Sequence, residues 1–222
     1  MQRLMLALAA ACVLAAGATR LSAQSFDGIM QFVSYENHAG SPDTMTQFTK
    51  GSKIRFEGMG QEGGAMIFTG TSSFVIMPDQ KMYMDLPANF GAGAAAKAAK
   101  QHGVAVKTGK SESIAGISCE VWHYKGTDDE GKPQEGDVCL AKGAGLQLSR
   151  LTNGLSGQFF TEGGAQFAEA LKTGGLMKAT DNGKLSFLAV KAQATSVPDA
   201  MFAVPAGYTK MSMPSMGRPP NE

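Results

Sequence analysis

From Phe26 onward the chain breaks into short runs rich in β-branched and aromatic residues, each closed within a few positions by Gly, Asn, Asp or Pro. Runs that short seldom make helices of several turns, whereas they suit strands joined by tight turns. The expected strands are Phe26 to Glu36, Thr44 to Lys50, Lys53 to Gly58, Ala65 to Thr69, Ser73 to Met77 and Lys81 to Leu86, then Val104 to Thr108, Ile114 to Lys125, Gly136 to Ala141, Leu146 to Leu151, Leu176 to Thr180 and Lys184 to Ala194. Lys53-Ile54-Arg55-Phe56-Glu57 alternates polar and apolar residues, the pattern of a strand with one wet face. The connections are short, so neighbours should pair antiparallel. Asp181-Asn182-Gly183 is the strongest hairpin turn in the chain, because Asn and Gly tolerate the left-handed conformation that a two-residue turn demands. The 28 glycines fit a protein of many turns and bulges.

Two stretches depart from this pattern. The Ala-rich GAGAAAKAAKQHG that follows Phe90 predicts a short helix stopped at Gly103, and a second is expected over about Glu162 to Leu171, with Phe167 and Leu171 four apart on one face and Gly174-Gly175 ending it. The fold class that results is mainly β (α+β): a curved antiparallel sheet or half-barrel of about ten or more strands with two short helices on one face. No repeat or internal linker divides it, and a body of this length has room for one sizeable core.

The opening MQRLMLALAAACVLAAGATRLSAQ has the marks of a secretory signal. Arg3 supplies the positive start, Leu4 to Gly17 the apolar stretch, and Leu21-Ser22-Ala23 a small-residue cleavage site, with Ala18 the alternative. The apolar run is shorter than the roughly 20 residues that span a bilayer, so the expectation is export followed by cleavage, not a membrane span. Cys12 after three alanines is a weaker hint of lipidation, since apolar signal sequence continues beyond it. The chain then divides into a signal peptide, 1–23, a single half-barrel domain, 24–208, and a tail, 209–222, whose prolines and lack of apolar period predict disorder. The localisation expected is periplasmic or secreted.

Lys and Arg number 20 against 19 Asp and Glu, and the signal carries two of the basic residues and none of the acidic ones. That balance offers no electrostatic footprint for nucleic acid. Two cysteines lie beyond the signal, Cys119 in ISCEVWHYKG and Cys139 in EGDVCLAKG, with the turn-forming TDDEGKP between them. A hairpin centred near Asp129 brings the sulfurs opposite each other, and a disulfide closing that loop would stabilise the fold by about 3 kcal/mol. Redox or metal chemistry is the weaker reading, because no C-x-x-C and no cluster of further ligands accompanies the pair.

The motifs that carry chemistry fail on context. Gly58-Met59-Gly60-Gln61-Glu62-Gly63 matches G-x-G-x-x-G, but the AMIFTG beyond it reads as a strand, and without a helix N-terminus nothing holds a pyrophosphate. Gly103 to Ser111 resembles a phosphate loop but has one residue too many between its glycines. His38, His102 and His123 have no nucleophile, base or ligand at a diagnostic spacing, and no G-x-S-x-G or H-E-x-x-H occurs. Trp122 should face away from His123 and into the core, and Asp128-Asp129 should be solvated. No catalytic residue and no cofactor is expected, and the protein is read as a non-enzyme. Met211, Met213 and Met216 form M-x-M-x-x-M, a soft thioether set suited to Cu(I), against which stands the heavy use of Met throughout the chain.

Several pieces recur in a known order: Phe26-x-Gly28; Lys50-Gly51-x-Lys53-Ile54-Arg55; Lys81-x-Tyr83; Thr108-Gly109-Lys110-x-Glu112-x-Ile114-Ala115-Gly116-x-x-Cys119-Glu120; and Phe202-x-Val204-Pro205-Ala206-Gly207-Tyr208. Together they resemble an exported bacterial family, the domain of unknown function 4412, itself similar to the LolA/LolB-like half-barrels. The resemblance implies a strongly curved sheet wrapped around helices, with an apolar hollow able to accept acyl chains, and it brings no catalytic residues. A cleft of that kind would be lined by candidates such as Phe159, Phe160, Phe167 and Leu171, for each of which core packing is the competing role. Two functions follow as expectations. The first is a periplasmic binding or carrier protein holding a lipid, a lipoprotein acyl chain or another apolar ligand. The alternative is an envelope structural or interaction protein that meets another envelope protein, with copper binding by the Met-rich tail compatible with either.

Overall fold

The computed structural model describes residues 26–35, 42–58, 63–87, 103–127, 131–147, 160–162 and 164–211. The strands are β1 Gly28–Ser34, β2 Asp43–Lys50, β3 Lys53–Glu57, β4 Ala65–Phe68, β5 Ser73–Met77, β6 Met82–Asp85, β7 Gly103–Ile114, β8 Ile117–Thr127, β9 Pro133–Lys142, β10 Phe160–Glu162, β11 Gly174–Asp181, β12 Lys184–Ala194 and β13 Thr209–Lys210. One α-helix, α1, covers Gly164–Thr173, and a 3₁₀ turn, η1, covers Asp199–Phe202. Among the described residues the strands form one open 13-stranded sheet in the order β10-β7-β8-β9-β11-β12-β1-β2-β3-β4-β5-β6-β13. This single curved sheet is consistent with a half-barrel.

Two meanders build it. β1 to β6 run as consecutive antiparallel neighbours, as do β7, β8 and β9. The meanders are joined where β1, the first strand, pairs antiparallel with β12, one of the last. That closure ties residues 28–34 to 187–194, so neither half of the chain can complete the sheet alone. The two ends of the sheet are its only parallel pairs among the described strands, β10 on β7 and β13 on β6. Asn182 and Gly183 take positive φ, 48° and 77°, and turn β11 into β12 as their chemistry requires.

Cross-strand register sorts the side chains onto two faces, since residues directly opposite share a face. One face carries α1 and the main cluster, which includes Met30, Phe32, Ile54, Phe56, Phe68, Trp122, Leu140 and Phe187. Phe32 stacks on Phe187 with ring centroids 5.3 Å apart, and Phe56 meets Phe68 edge-on at 6.0 Å. The opposite, outer face of β3 to β6 carries a second cluster, Ala65, Ile67, Phe74 and Ile76, covered by Val197 and Phe202 from the segment after β12. Burial of large side chains on both faces is what lets a sheet this wide hold together.

Several boundaries differ from the sequence reading. β7 does not stop at Thr108 but continues to Ile114, through a register shift between Lys107 and Ser111. The polar run Lys107 to Ser113 hides this half of the strand from a hydrophobicity pattern, and the Ala115-Gly116 turn needs positive φ at an alanine, 50°, which is uncommon outside Gly, Asn and Asp. The helix expected at Glu162 to Leu171 starts at Gly164 and ends at Thr173. The helix expected after Phe90 lies outside the described residues. Of the tail expected to be disordered from residue 209, Thr209 and Lys210 pair with Met82 and Tyr83 as β13, the Met211 N–H donates to the Tyr83 carbonyl at 2.7 Å, and residues 212–222 lie outside the described residues. The exposed edge of β6 supplies backbone groups that two polar residues can satisfy without any apolar signal. Of the strand expected from Leu146 to Leu151, Leu146 makes an isolated bridge to Leu176, and residues 148–151 lie outside the described residues.

Ile54 and Phe56 of β3 are buried as its alternation predicts, and the opposite side stays partly wet, with the Lys53 and Glu57 side chains 39% and 36% exposed, but is shared with η1. Lys50 and Lys53 bind the two oxygens of Asp199 at 2.7 and 2.8 Å, and Arg55 donates to the Met201 carbonyl at 3.0 Å. The polar residues of β3 are anchors for the C-terminal segment.

Candidate ligand-binding face

The face that carries α1 gathers most of the large apolar side chains. Phe167 and Leu171 project from α1 into the main cluster and are 6% and 4% exposed, and the Phe167 ring lies 5.4 Å from Trp122. These two of the four candidate cleft residues are brought together under the helix. Phe160 lies in β10, the strand paired with the start of β7, and Phe159 lies outside the described residues.

Trp122 sits in a cross-strand row, between Lys107 of β7 and Val138 of β9. Register aligns Trp122 of β8 with Val138 of β9, Ala179 of β11, Phe187 of β12 and Ser34 of β1. The row therefore has an aromatic ring near each end and two small residues, Val138 and Ala179, between them. Both of those are only half-buried, while Trp122 and Phe187 are buried. The indole Nε1–H of Trp122 is a buried donor with no hydrogen-bond partner, the one such side-chain atom among the described residues. Trp122 does occupy the core, as expected, but its unpaired donor is a property of the assembled face that strand periodicity does not reveal.

A polar latch lies elsewhere on this face, opposite Met30 and Phe56. Gln47, buried on β2, donates from Nε2 to the Gly145 carbonyl and to Thr49 Oγ1, both at 3.1 Å, and its Oε1 accepts from the Gln147 N–H at 3.3 Å. The Gly145 N–H points at Met30 Sδ, 3.4 Å away. Segment 143–147 is thereby held onto the sheet across its two meanders. At the other end Tyr124 passes over Gly136 to donate to the Thr180 carbonyl at 3.2 Å. A Cβ at position 136 would meet both that carbonyl and the Tyr124 hydroxyl, so the crossing needs glycine.

Cys119 and Cys139 form a disulfide with Cα atoms 5.4 Å apart, and each residue is 2% exposed. The bond is diagonal, because the β8–β9 pairing places Val121 and not Cys119 opposite Cys139. The hairpin is centred one residue later than the sequence suggested, which shifts every partner by two. Glu112 lies beside Cys119, and Lys178 lies beside Cys139. Their side chains meet at 2.8 Å, so an ion pair reaching from β7 to β11 spans the two strands that the disulfide joins.

His123 faces Asp137 at 2.9 Å from Nδ1 and Glu135 at 3.3 Å from Nε2, an exposed cross-strand cluster on β8 and β9. His38, His102 and the Asp128-Asp129 pair lie outside the described residues, as do Met213 and Met216 of the proposed thioether set, whereas Met211 is held beside β6. Among the described residues no three His, Cys, Asp or Glu side chains gather as a metal site, and no helix is long and apolar enough to cross a membrane. Hydrogen bonds from Lys50 and then Lys53 hold the Asp199 carboxyl down at about 2. The Asp85 carboxylate raises the Lys210 ammonium on the neighbouring β13.

An open, mainly antiparallel sheet with an apolar inner face and a diagonal disulfide is consistent with a β half-barrel scaffold. The sequence model of the family described as a domain of unknown function (DUF4412) matches residues 26–208, and the chain belongs to that family. No curated protein and no solved structure matches it.

Proposed function

We propose that this protein is an exported, non-catalytic binding protein that holds an apolar ligand against the helix-bearing face of its sheet. The observation that supports this most is the row from Trp122 to Phe187, where Val138 and Ala179, packed on the main cluster yet only half-buried, lie between two aromatic residues. Ligand sites are mostly apolar with a few polar groups, and this row combines Val138, Ala179 and Phe187 with the Trp122 N–H. The signal-like opening supports an envelope location, where lipids and lipoprotein acyl chains are the abundant apolar molecules. Native mass spectrometry of residues 24–222 recovered from a bacterial periplasm tests the reading. A reproducible added mass of lipid size, released by solvent extraction, is the expected result; a clean apo mass under the same conditions would count against carriage.

A second reading draws on the outer face. Tyr35 and Val190 lie on the central strand pair or at its end and are 37% and 48% exposed. An apolar surface there suits an envelope interaction protein, and Val190→Lys would weaken such an association while leaving ligand content unchanged. Copper binding by Met211, Met213 and Met216 is compatible with both. It is tested by changing all three to Leu, and unchanged copper uptake would end it.

A further inference from the structure

We infer that the Trp122 indole N–H is the polar anchor of the ligand, and that it selects a neutral acyl ester over a plain hydrocarbon or a fatty-acid anion. The inference rests on the reading that this face takes an apolar ligand, and it adds the chemistry of recognition. A buried donor without an acceptor is costly, and native proteins keep few of them. Here the unpaired donor is the only buried side-chain one among the described residues, and it belongs to a side chain in the row that holds the half-buried Val138 and Ala179.

The acceptor must come from a molecule whose remainder is apolar. The indole is flanked by Phe167 of α1, with ring centroids 5.4 Å apart, and by Val138, directly opposite it in register. A ligand chain lying across Val138 and Ala179 toward Phe187 and Phe32 would be in apolar contact along its length. An acyl ester has this layout, an apolar chain ending in a carbonyl oxygen that accepts one hydrogen bond.

Charge decides between ester and acid. Lys107, opposite Trp122 on β7, and Glu120, two residues before it, share this face and neutralise each other at 2.6 Å, and the carboxylates Asp181 of β11 and Asp43, opposite Ser34 on β2, lie on it too. Lys178, the cation on β11, belongs to the other face, where it is paired with Glu112. An acid would bring an uncompensated negative charge to a buried donor, which is far less favourable than a neutral carbonyl.

The chain contains a single tryptophan, so its one indole N–H resonance is an unambiguous reporter in the purified ¹⁵N-labelled protein. Titration with methyl laurate should move that resonance downfield, while dodecane, of similar length but without an acceptor, should leave it in place. By native mass spectrometry Trp122→Phe should weaken methyl laurate roughly tenfold, the loss of about one good hydrogen bond, and leave dodecane unchanged. If ester and hydrocarbon bind alike with no movement of the resonance, the anchor is wrong and the apolar-ligand reading stands. Tighter binding of laurate anion than of its ester would overturn the choice of a neutral carbonyl. A resonance already downfield and protected from exchange without ligand would show a water as the acceptor and also overturn the anchor. Binding of none of the three would overturn both the anchor and the reading beneath it. Should Trp122→Phe fail to fold, the resonance of the unaltered protein decides alone.

Discussion

Single residues in this protein do work that their neighbours in sequence do not announce. Gln47 sits among apolar side chains, yet it satisfies three polar groups and holds segment 143–147 to the sheet. Gln47→Leu strands the Gly145 carbonyl and the Gln147 N–H, and urea denaturation should show a loss of about 2–3 kcal/mol. Asp199 joins η1 to both lysines of the β2–β3 turn, and its carboxyl is held at about 2, below its ordinary 3.8. A depressed carboxylate contributes stability that is present above its unfolded value and lost as pH falls through the folded one. Protection of the Ala203 amide, which closes η1 onto Ala200, should therefore drop between about pH 4 and pH 2. Asp199→Asn should show low protection throughout that window and no step, as read by amide hydrogen exchange.

Elements carry the next layer of stability. The β8–β9 hairpin is closed by the Cys119–Cys139 bond around 20 residues of sequence, and Cys119→Ser with Cys139→Ser should cost about 3 kcal/mol in denaturant midpoint. Helix α1 is amphipathic and short, so its place depends on the side chains it buries and little on its own propensity. Phe167→Ala should destabilise the protein by about 3–4 kcal/mol and shift the fluorescence of Trp122 to longer wavelength, because the ring that covers the indole is removed. The segment after β12 behaves as a strap: Val197 and Phe202 fill the outer cluster, ion pairs fix η1, and β13 finishes on the edge of β6. Phe202→Ala should cost a comparable amount, roughly 3–5 kcal/mol, and loosen β13 in the same hydrogen-exchange experiment.

At the scale of the whole molecule, the join between β1 and β12 makes the sheet one cooperative unit. Contacts between strands at opposite ends of the chain form late and cost loop entropy, so refolding should be slow for a protein of this size. Stopped-flow refolding followed by the single tryptophan should show that phase slowed by Phe32→Ala, which removes the stacked partner of Phe187 across the seam. The two faces also differ: one carries α1 and Trp122, the face proposed for a ligand, and the other is largely sealed by the strap near β3 to β6.

Much of this architecture was legible in the residues themselves. Alternation in Lys53 to Glu57 marked a strand, Asp181-Asn182-Gly183 marked its turn, and two cysteines flanking a turn-rich loop marked the bridge, because each signal is local and acts within a few residues. What lay beyond reach depends on partners distant in sequence. The polar half of β7 is a strand because β8 completes its hydrogen bonds, and Thr209-Lys210 is a strand because the edge of β6 is there to receive it. The charges of β3 are anchors only because η1 is laid across them. The candidate site follows the same rule: the sequence by itself determined that Trp122 is a buried aromatic on a strand, and only the tertiary structure set it in line with Val138, Ala179 and Phe187 and left its N–H unpaired, because strand register is decided by pairings between segments that sequence pattern does not connect.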